Sequence, residues 1–548
     1  MRRWPKWLIT AAALGATCSP QVITGLSPQN QASQNIAKFS VTGTVVNSVT
    51  GEPIRRALVR AADSGAMTDA EGRFELSNVP AGSIRLIARK PGYFNDEELR
   101  RYNTVEMFQI GAQTGPISLK LTPAAVLAGS ITGSAGQPLE GIPIRATYVR
   151  IADGRRQFEE RGGTTTDEDG NFRLAGLLPG SYYLATGASP AFDNLPPAIA
   201  RAAGHARGYP GTYFPDAPTR EQATAIHVAP GEQKRADFEL HPVPLFNVKG
   251  RVSGIPAGGS AGMEVLNDAG EPLGAEPRFD PASGTFDVRY LPAGSYRLQA
   301  NGQDGNNHAL YGEIPINLHR DLEGVQVPLE PLLTIPIEVH EVSTSEKKSV
   351  TILTLPGNEQ RRIELLPRIS LRSLDARQHA EYESEIEPTL SSVKWLFRNV
   401  QPGKYAVHAD AGEQWYVDSV SCGGIDLLKG PLTVTAALRD PIEIAVRNDA
   451  ASLTAELHSN VPQTVTVLVL PQNGNAEIRA FPNVGVQGQL MARGFAPGDY
   501  SLLALSNADD FEYRSEDAIR PYLSKAVHAT LYPNQQTKVE LEVVSATQ

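Results

Sequence analysis

Zinc hydrolysis needs two histidines and a carboxylate converging on one metal, with a fourth position left open. The ten histidines of this chain stand singly, at 205, 227, 241, 308, 319, 340, 379, 408, 458 and 528, and no His-Glu-x-x-His or His-x-x-Glu pair occurs. Gly258-Gly259-Ser260-Ala261-Gly262 fits the Gly-x-Ser-x-Gly spacing of serine hydrolases. That spacing works only on a sharp strand-to-helix turn, whereas here it reads as a loop between strands. Asp167-Glu168-Asp169-Gly170 opens like a calcium loop, but the twelfth position is Leu178 and offers no oxygen. It reads as a hairpin turn, and Asp304-Gly305-Asn306-Asn307 as a loop. Cys18 and Cys422 are the only cysteines. With the leader removed, Cys422 is alone, forms no internal disulfide, and reads as a small buried apolar residue. Sugar binding by sandwich proteins uses exposed aromatic rings. Trp395, Trp415 and Tyr416 are the candidates for such a platform, while alternation along strands buries about half of all strand aromatics. The sequence thus offers no catalytic residue, no metal ligand set and no cofactor site.

The elements that would carry these residues are strands. Glycine (49) and proline (41) together make up about one residue in six of the 548, which suits many short strands joined by turns. Hydrophobic residues form 41% and charged residues 20% of the chain, enough for packed cores. A net charge of −10 argues against a nucleic-acid partner, which needs a basic face. Met1 to Ser19 reads as a secretory signal: Arg2, Arg3 and Lys6 precede a short apolar run from Leu8 to Ala16. The run is too short to span a bilayer, and no other apolar run is long enough, so no transmembrane segment is expected after signal removal. Cys18 offers a lipid-attachment alternative. Residues 20–37, rich in Gln, Asn and Ser, read as a flexible lead-in.

A short signature recurs five times at intervals of roughly 95–115 residues, a spacing that suits one small β-sandwich per copy. It is an apolar residue followed by Pro, Gly and usually an aromatic: Val79-Pro80-Ala81-Gly82-Ser83-Ile84, Leu178-Pro179-Gly180-Ser181-Tyr182, Leu291-Pro292-Ala293-Gly294-Ser295-Tyr296, Val400-Gln401-Pro402-Gly403-Lys404-Tyr405 and Phe495-Ala496-Pro497-Gly498-Asp499-Tyr500. Proline pre-sets φ and glycine accepts a positive φ, so each copy predicts a tight turn into a strand. Upstream, Thr68-Asp69-Ala70-Glu71-Gly72-Arg73-Phe74 parallels Thr166-Asp167-Glu168-Asp169-Gly170-Asn171-Phe172 as a hairpin turn. Each unit closes on an alternating strand, at 117–121, 236–240, 325–329, 442–446 and 539–543. Short helices are expected only near 197–203, 376–387 and 515–523. The domains expected are 38–122, 124–243 with a C-terminal extension, 246–330, 333–446 and 448–548, with exposed linkers near 123, 244, 332 and 447.

Gly43-Thr44-Val45-Val46, Gly51-Glu52-Pro53, Thr68 to Phe74 and Pro80-Ala81-Gly82 resemble the carboxypeptidase regulatory-like domain, as does the second copy from Gly129. At 246–330 the likeness keeps Gly250-Arg251-Val252, Gly284-Thr285-Phe286 and the Pro-Ala-Gly turn. Over 331–548 mostly the Pro-Gly turn remains. Tyr213 to Ala217, Trp415 to Val420 and Gly423-Gly424 also resemble large exported proteins of acidobacteria. The resemblance implies an all-β chain of tandem transthyretin-like or immunoglobulin-like sandwiches. In the enzymes this domain accompanies, catalysis lives on another domain. The expected function is therefore a non-catalytic exported scaffold. Its partner would be a protein or glycan at the cell envelope, in the periplasm, on the outer membrane surface or outside the cell. The alternative is an extracellular carbohydrate-binding protein that assists polysaccharide use.

Overall fold

The computed structural model describes residues 37–99, 107–187, 189–190, 206–268, 270, 272–273, 277–306, 308–342, 351–354, 360–363, 367–375, 380–388, 393–458, 464–472, 478–485 and 488–546. The expected leader, Cys18, nearly all of the lead-in and the helix expected at 197–203 lie outside these residues. The chain is all-β. One compact unit holds the described residues up to 91 together with 95–99 and 107–121. The other holds 92–94 and the described residues from 122 onward.

The first unit is a sandwich. In one sheet Lys38–Asn47 lies between Arg73–Pro80 and Ile117–Pro123; the other runs Ser64–Met67, Leu58–Ala61, Gly82–Arg89, Met107–Ile110. Alternation sends Val41, Val45, Phe74 and Leu76 of the first sheet, and Val59, Ala61, Leu86 and Ala88 of the second, into the space between. Each of the Val, Leu and Phe side chains among them contributes about 1.5–3 kcal/mol on burial.

The second unit holds four more sandwiches in succession, with cores drawn from residues 125–240, 246–329, 335–446 and 451–546. All five sandwiches share one closure: the opening strand pairs in parallel with the closing strand. The pairs are 43–47 with 117–121, 131–133 with 238–240, 250–253 with 325–328, 337–342 with 442–447 and 452–458 with 536–542. Two adjacent parallel strands put the start and the end of a sandwich at opposite ends, so the chain is led from one sandwich on to the next.

The signature turn has more structure than its Pro-Gly core. Four residues before the signature glycine stands a left-handed residue: Asn78, Gly176, Tyr290, Asn399 or Gly494, with φ between 54° and 75°. At each of them the pairing register with the opening strand shifts. This is a β-bulge, which bends the strand and raises its twist just before the chain turns into the other sheet. The tyrosine after the turn then donates its hydroxyl to the carbonyl four residues back: Tyr182 to Leu178, Tyr296 to Pro292, Tyr405 to Gln401 and Tyr500 to Ala496, each at 2.8 Å. All four rings are buried, so the aromatic of the signature fills the core while its hydroxyl caps the turn.

The structure departs from expectation in three places. The stretch Glu381-Tyr382-Glu383-Ser384-Glu385-Ile386-Glu387 is no helix: it forms the strands Glu381–Glu383 and Glu385–Pro388. Its polar-apolar alternation has period two, and each strand finds a partner, at 370–372 and 393–396. Residue 244 is not in a linker. Val243–Ser253 is one strand, held by Arg207–Tyr209 on one side and Thr285–Pro292 on the other. The closing strand of the fifth sandwich, Gln536–Ser545, pairs with 452–458 at its start and with 504–506 at its end, so it joins what are two separate sheets in the other sandwiches. Near 515–523 the expected short helix is present, as Glu516–Ile519 followed by a 3-10 turn.

Candidate functional site: the joints between sandwiches

Trp415 and Tyr416 come from the turn leading into the strand Tyr416–Cys422 and are 3% and 7% exposed, in or against the fourth core. Burial and the neighbouring Asp449 carboxylate push the Tyr416 phenol up to about 12. Asp449 itself is held below the usual carboxylate range by Arg447, 2.9 Å away. Trp395, on Val393–Val400, is partly buried against the same core. Trp395 and Trp415 therefore belong to the fourth core and Tyr416 is buried beside Arg447 and Asp449, so the three do not make one exposed platform. Ring faces packed in a core cannot stack on a sugar.

The other chemistry-bearing residues are also accounted for locally. Asp167 Oδ1 accepts the amides of Asp169 and Asn171 at 3.1 and 2.7 Å, and Asp69 does the same for Glu71 and Arg73. Both are turn supports, as expected. Beside them Thr68 and Thr166 are buried and tie the turn to the neighbouring chain: the Thr166 hydroxyl donates to Leu139 O at 2.5 Å and accepts from Ile142 N at 2.9 Å. Ser260 begins the strand Ser260–Asn267, so the Gly-x-Ser-x-Gly spacing sits on no strand-to-helix elbow. Cys422 is buried and its thiol is pushed up by burial and by the carboxylates of Asp440 and Glu443, a setting that keeps it protonated and unreactive. Among the described residues no group of three His, Cys, Asp or Glu side chains is placed to hold a metal ion.

The charged and aromatic groups that do converge lie where sandwiches meet, and sequence reading alone did not single them out. Between the third and fourth sandwiches is a cleft of about 540 Å³. In it Arg297 is ion-paired with Glu313, the Tyr311 hydroxyl donates to Glu313 Oε2 at 2.7 Å, and Arg297 reaches Asp375 of the fourth sandwich at 3.9 Å. Burial, together with Glu313, raises the Tyr311 phenol well above its ordinary value. Between the fourth and fifth, Arg479 lies over the Phe495 ring at 4.2 Å and donates to the carbonyls of Arg493 and Gly494 at 3.0 and 2.9 Å. Burial lowers its pKa; the carboxylates of Asp410 and Glu413 in the fourth sandwich act the other way. Gly494 approaches so closely that a Cβ there would stand 2.1 Å from Gly412 O.

The longest-range joint links the second sandwich to the fifth. The hairpin of Pro143–Ala152 and Arg155–Thr165 carries Asp153 and Gly154 at its tip. Arg514, only 10% exposed, donates from Nε to Asp153 O at 2.8 Å and pairs with Asp153 Oδ2 at 2.8 Å. The Tyr513 hydroxyl donates to Asp153 Oδ1 at 2.9 Å, the Arg514 amide to Gly154 O at 3.1 Å, and Arg156 Nε to Glu512 Oε1 at 2.9 Å. Gly154 has φ +66°, and a Cβ on it would fall 2.5 Å from the Tyr513 ring. Only glycine fits that approach. The signal that was available is the Asp-Gly pair at a hairpin tip, but its docking partner lies about 360 residues away.

The first sandwich decides the family comparison. Its Gly43, its Thr68-Asp69 turn and its Pro80-Ala81-Gly82 turn all fall within the matched stretch. Residues 40–105 match the carboxypeptidase regulatory-like domain. Among solved structures, the Bacillus anthracis TIE protein is 16% identical with a TM-score of 0.17, over 53% of this chain. The chain spans half the length of that protein. GBS52, the minor pilin of Streptococcus agalactiae, is 16% identical over 37% of this chain and 96% of its own, with a TM-score of 0.21. BcpA, the major pilin subunit of Bacillus cereus, is 11% identical over 76% of this chain and 99% of its own, with a TM-score of 0.13. No curated protein sequence matches the chain. Among the described residues no helix is long and apolar enough to cross a membrane.

Proposed function

We propose that this chain is a non-catalytic exported scaffold that holds binding surfaces at set spacings, at the cell envelope or outside the cell. One observation carries the reading: the convergent charged and aromatic groups satisfy one another at the joints between sandwiches. Arg297 is consumed by Glu313 and Asp375, and Arg514 by Asp153 and two backbone carbonyls. Groups spent on rigidity in this way fix relative positions rather than turn over a substrate. The leader read in residues 1–19 supports export. Recognition then falls to loops, sheet faces and edge strands on the rigid frame.

Fractionation of the native cells, followed by cross-linking, tests this. The chain should appear in the envelope or the medium and cross-link to a protein or glycan there. Recovery in the cytoplasm, or turnover of a substrate by the purified chain, would sink it. Glycan binding through Trp395, Trp415 and Tyr416 is the weaker reading, since the two tryptophan rings pack in or against the fourth core and Tyr416 is buried. Retention on insoluble polysaccharide, lost in Trp395→Ala, would restore it.

A further inference from the structure

One face of the first unit gathers exposed apolar side chains. The sheet Ser64–Met67, Leu58–Ala61, Gly82–Arg89, Met107–Ile110 carries exposed residues on its outer side. Register sets Leu58 opposite Met67 and Arg89, Arg60 opposite Ile87, and Arg85 opposite Met107. Leu58, Met67 and Met107 are 38%, 57% and 48% exposed. A lone exposed apolar side chain is ordinary; here three share one small sheet face. Arginines are interleaved with them. Arg85 is paired with Glu97, while Arg60 and Arg89 are in no ion pair among the described residues.

Charge along the chain says what would suit this face. Residues 38–121 hold eleven Lys and Arg against nine Asp and Glu, whereas residues 122–548 hold 36 against 51. We infer that the face formed by Leu58, Arg60, Met67, Ile87 and Arg89 docks on the acidic 122–548 body of a second copy of this chain. Two such basic faces repel each other, so the face meets an unlike, acidic surface of its neighbour rather than its own copy. Such a contact either closes reciprocally into a two-fold dimer or runs head to tail and leaves an end open to a further copy. Four strands of about four residues cover roughly 250 Å². That is well below the ~800 Å² per partner of a stable complex, so the association is weak and gains from complementary charge.

Sedimentation velocity on the full chain tests this. At low ionic strength the chain should form dimers or longer species as concentration rises, and ~0.5 M salt should return it to monomer by screening. Arg60→Glu with Arg89→Glu should weaken the association more than about tenfold by placing like charges in the contact. Leu58→Ser with Met67→Ser should also weaken it. Arg73→Glu with Lys120→Glu, both exposed on the other sheet, carries the same change in net charge and should leave it unchanged, which separates this face from a mere change in charge. A monomer under every condition, or association indifferent to the Arg60/Arg89 pair, overturns the inference. So does a monomer whose same face instead binds anionic lipid vesicles.

Discussion

The tyrosine of the signature is the residue on which most of the repeated structure turns. It buries a ring and satisfies a turn carbonyl with one side chain, and four of the five copies use it in the same way. In the first copy Ile84 stands there and keeps only the apolar half of the role. Tyr405→Phe removes the donor but not the ring, and so deletes the hydrogen bond to the Gln401 carbonyl. The loss expected is about 1–2 kcal/mol, read as a lower midpoint in chemical denaturation. A pH dependence follows from Tyr296, whose phenol burial raises to about 12 from an ordinary value near 10. The folded state holds that proton more tightly than the unfolded chain, so the stabilisation is complete below pH 10 and is lost between about pH 10 and 12. The loss over that window is on the order of 2–3 kcal/mol. Denaturation midpoints measured from pH 9 upward should fall less steeply for Tyr296→Phe. Equal slopes would show that the ring is not held neutral by the fold.

At the scale of elements, the strand alternation, the Asp-Gly hairpin turns and the five signature turns were all legible, because each is a local pattern with a local physical cause. Glycine in the signature takes a positive φ at Gly82, Gly180 and Gly498 but not at Gly294 or Gly403, so that part of the reading holds in only three copies. The bulge four residues earlier was not legible. Asn78, Gly176, Asn399 and Gly494 are all types that tolerate a left-handed backbone, but the third copy has Tyr290 and breaks the pattern. A bulky residue held at φ 63° is strained. Tyr290→Gly should therefore stabilise the third sandwich by roughly 0.5–1 kcal/mol, the relief of the left-handed backbone exceeding the added freedom of glycine in the unfolded chain. A thermal melt that falls instead would mean that the Tyr290 side chain contributes more than its backbone costs. The stretch 376–387 misled for another reason. Glutamate-rich sequence favours helix by propensity, and pairing with neighbouring strands overrides that preference.

At the scale of the whole molecule, the contact of the 143–165 hairpin tip with residues 512–514 ties the second sandwich to the fifth. Asp153→Ala together with Arg514→Ala removes its central ion pair without leaving either charge unpartnered. Dyes placed on the second and fifth sandwiches of the full chain should then report a longer or broader distance by single-molecule energy transfer. An unchanged distance distribution would show that the other joints alone set the arrangement of residues 122–548.

The sequence by itself determined that the chain is all-β, roughly how many times the unit recurs, and where its turns fall. Those features come from period-two burial and from the backbone limits of proline and glycine, which act within a few residues. Only the tertiary structure decided that Trp415 fills a core and Tyr416 is buried, that residue 244 lies in a strand, and that Asp153 meets Arg514. Each of these depends on which distant surface packs against which. No local pattern in one chain encodes that choice, because the two halves of each contact are written far apart.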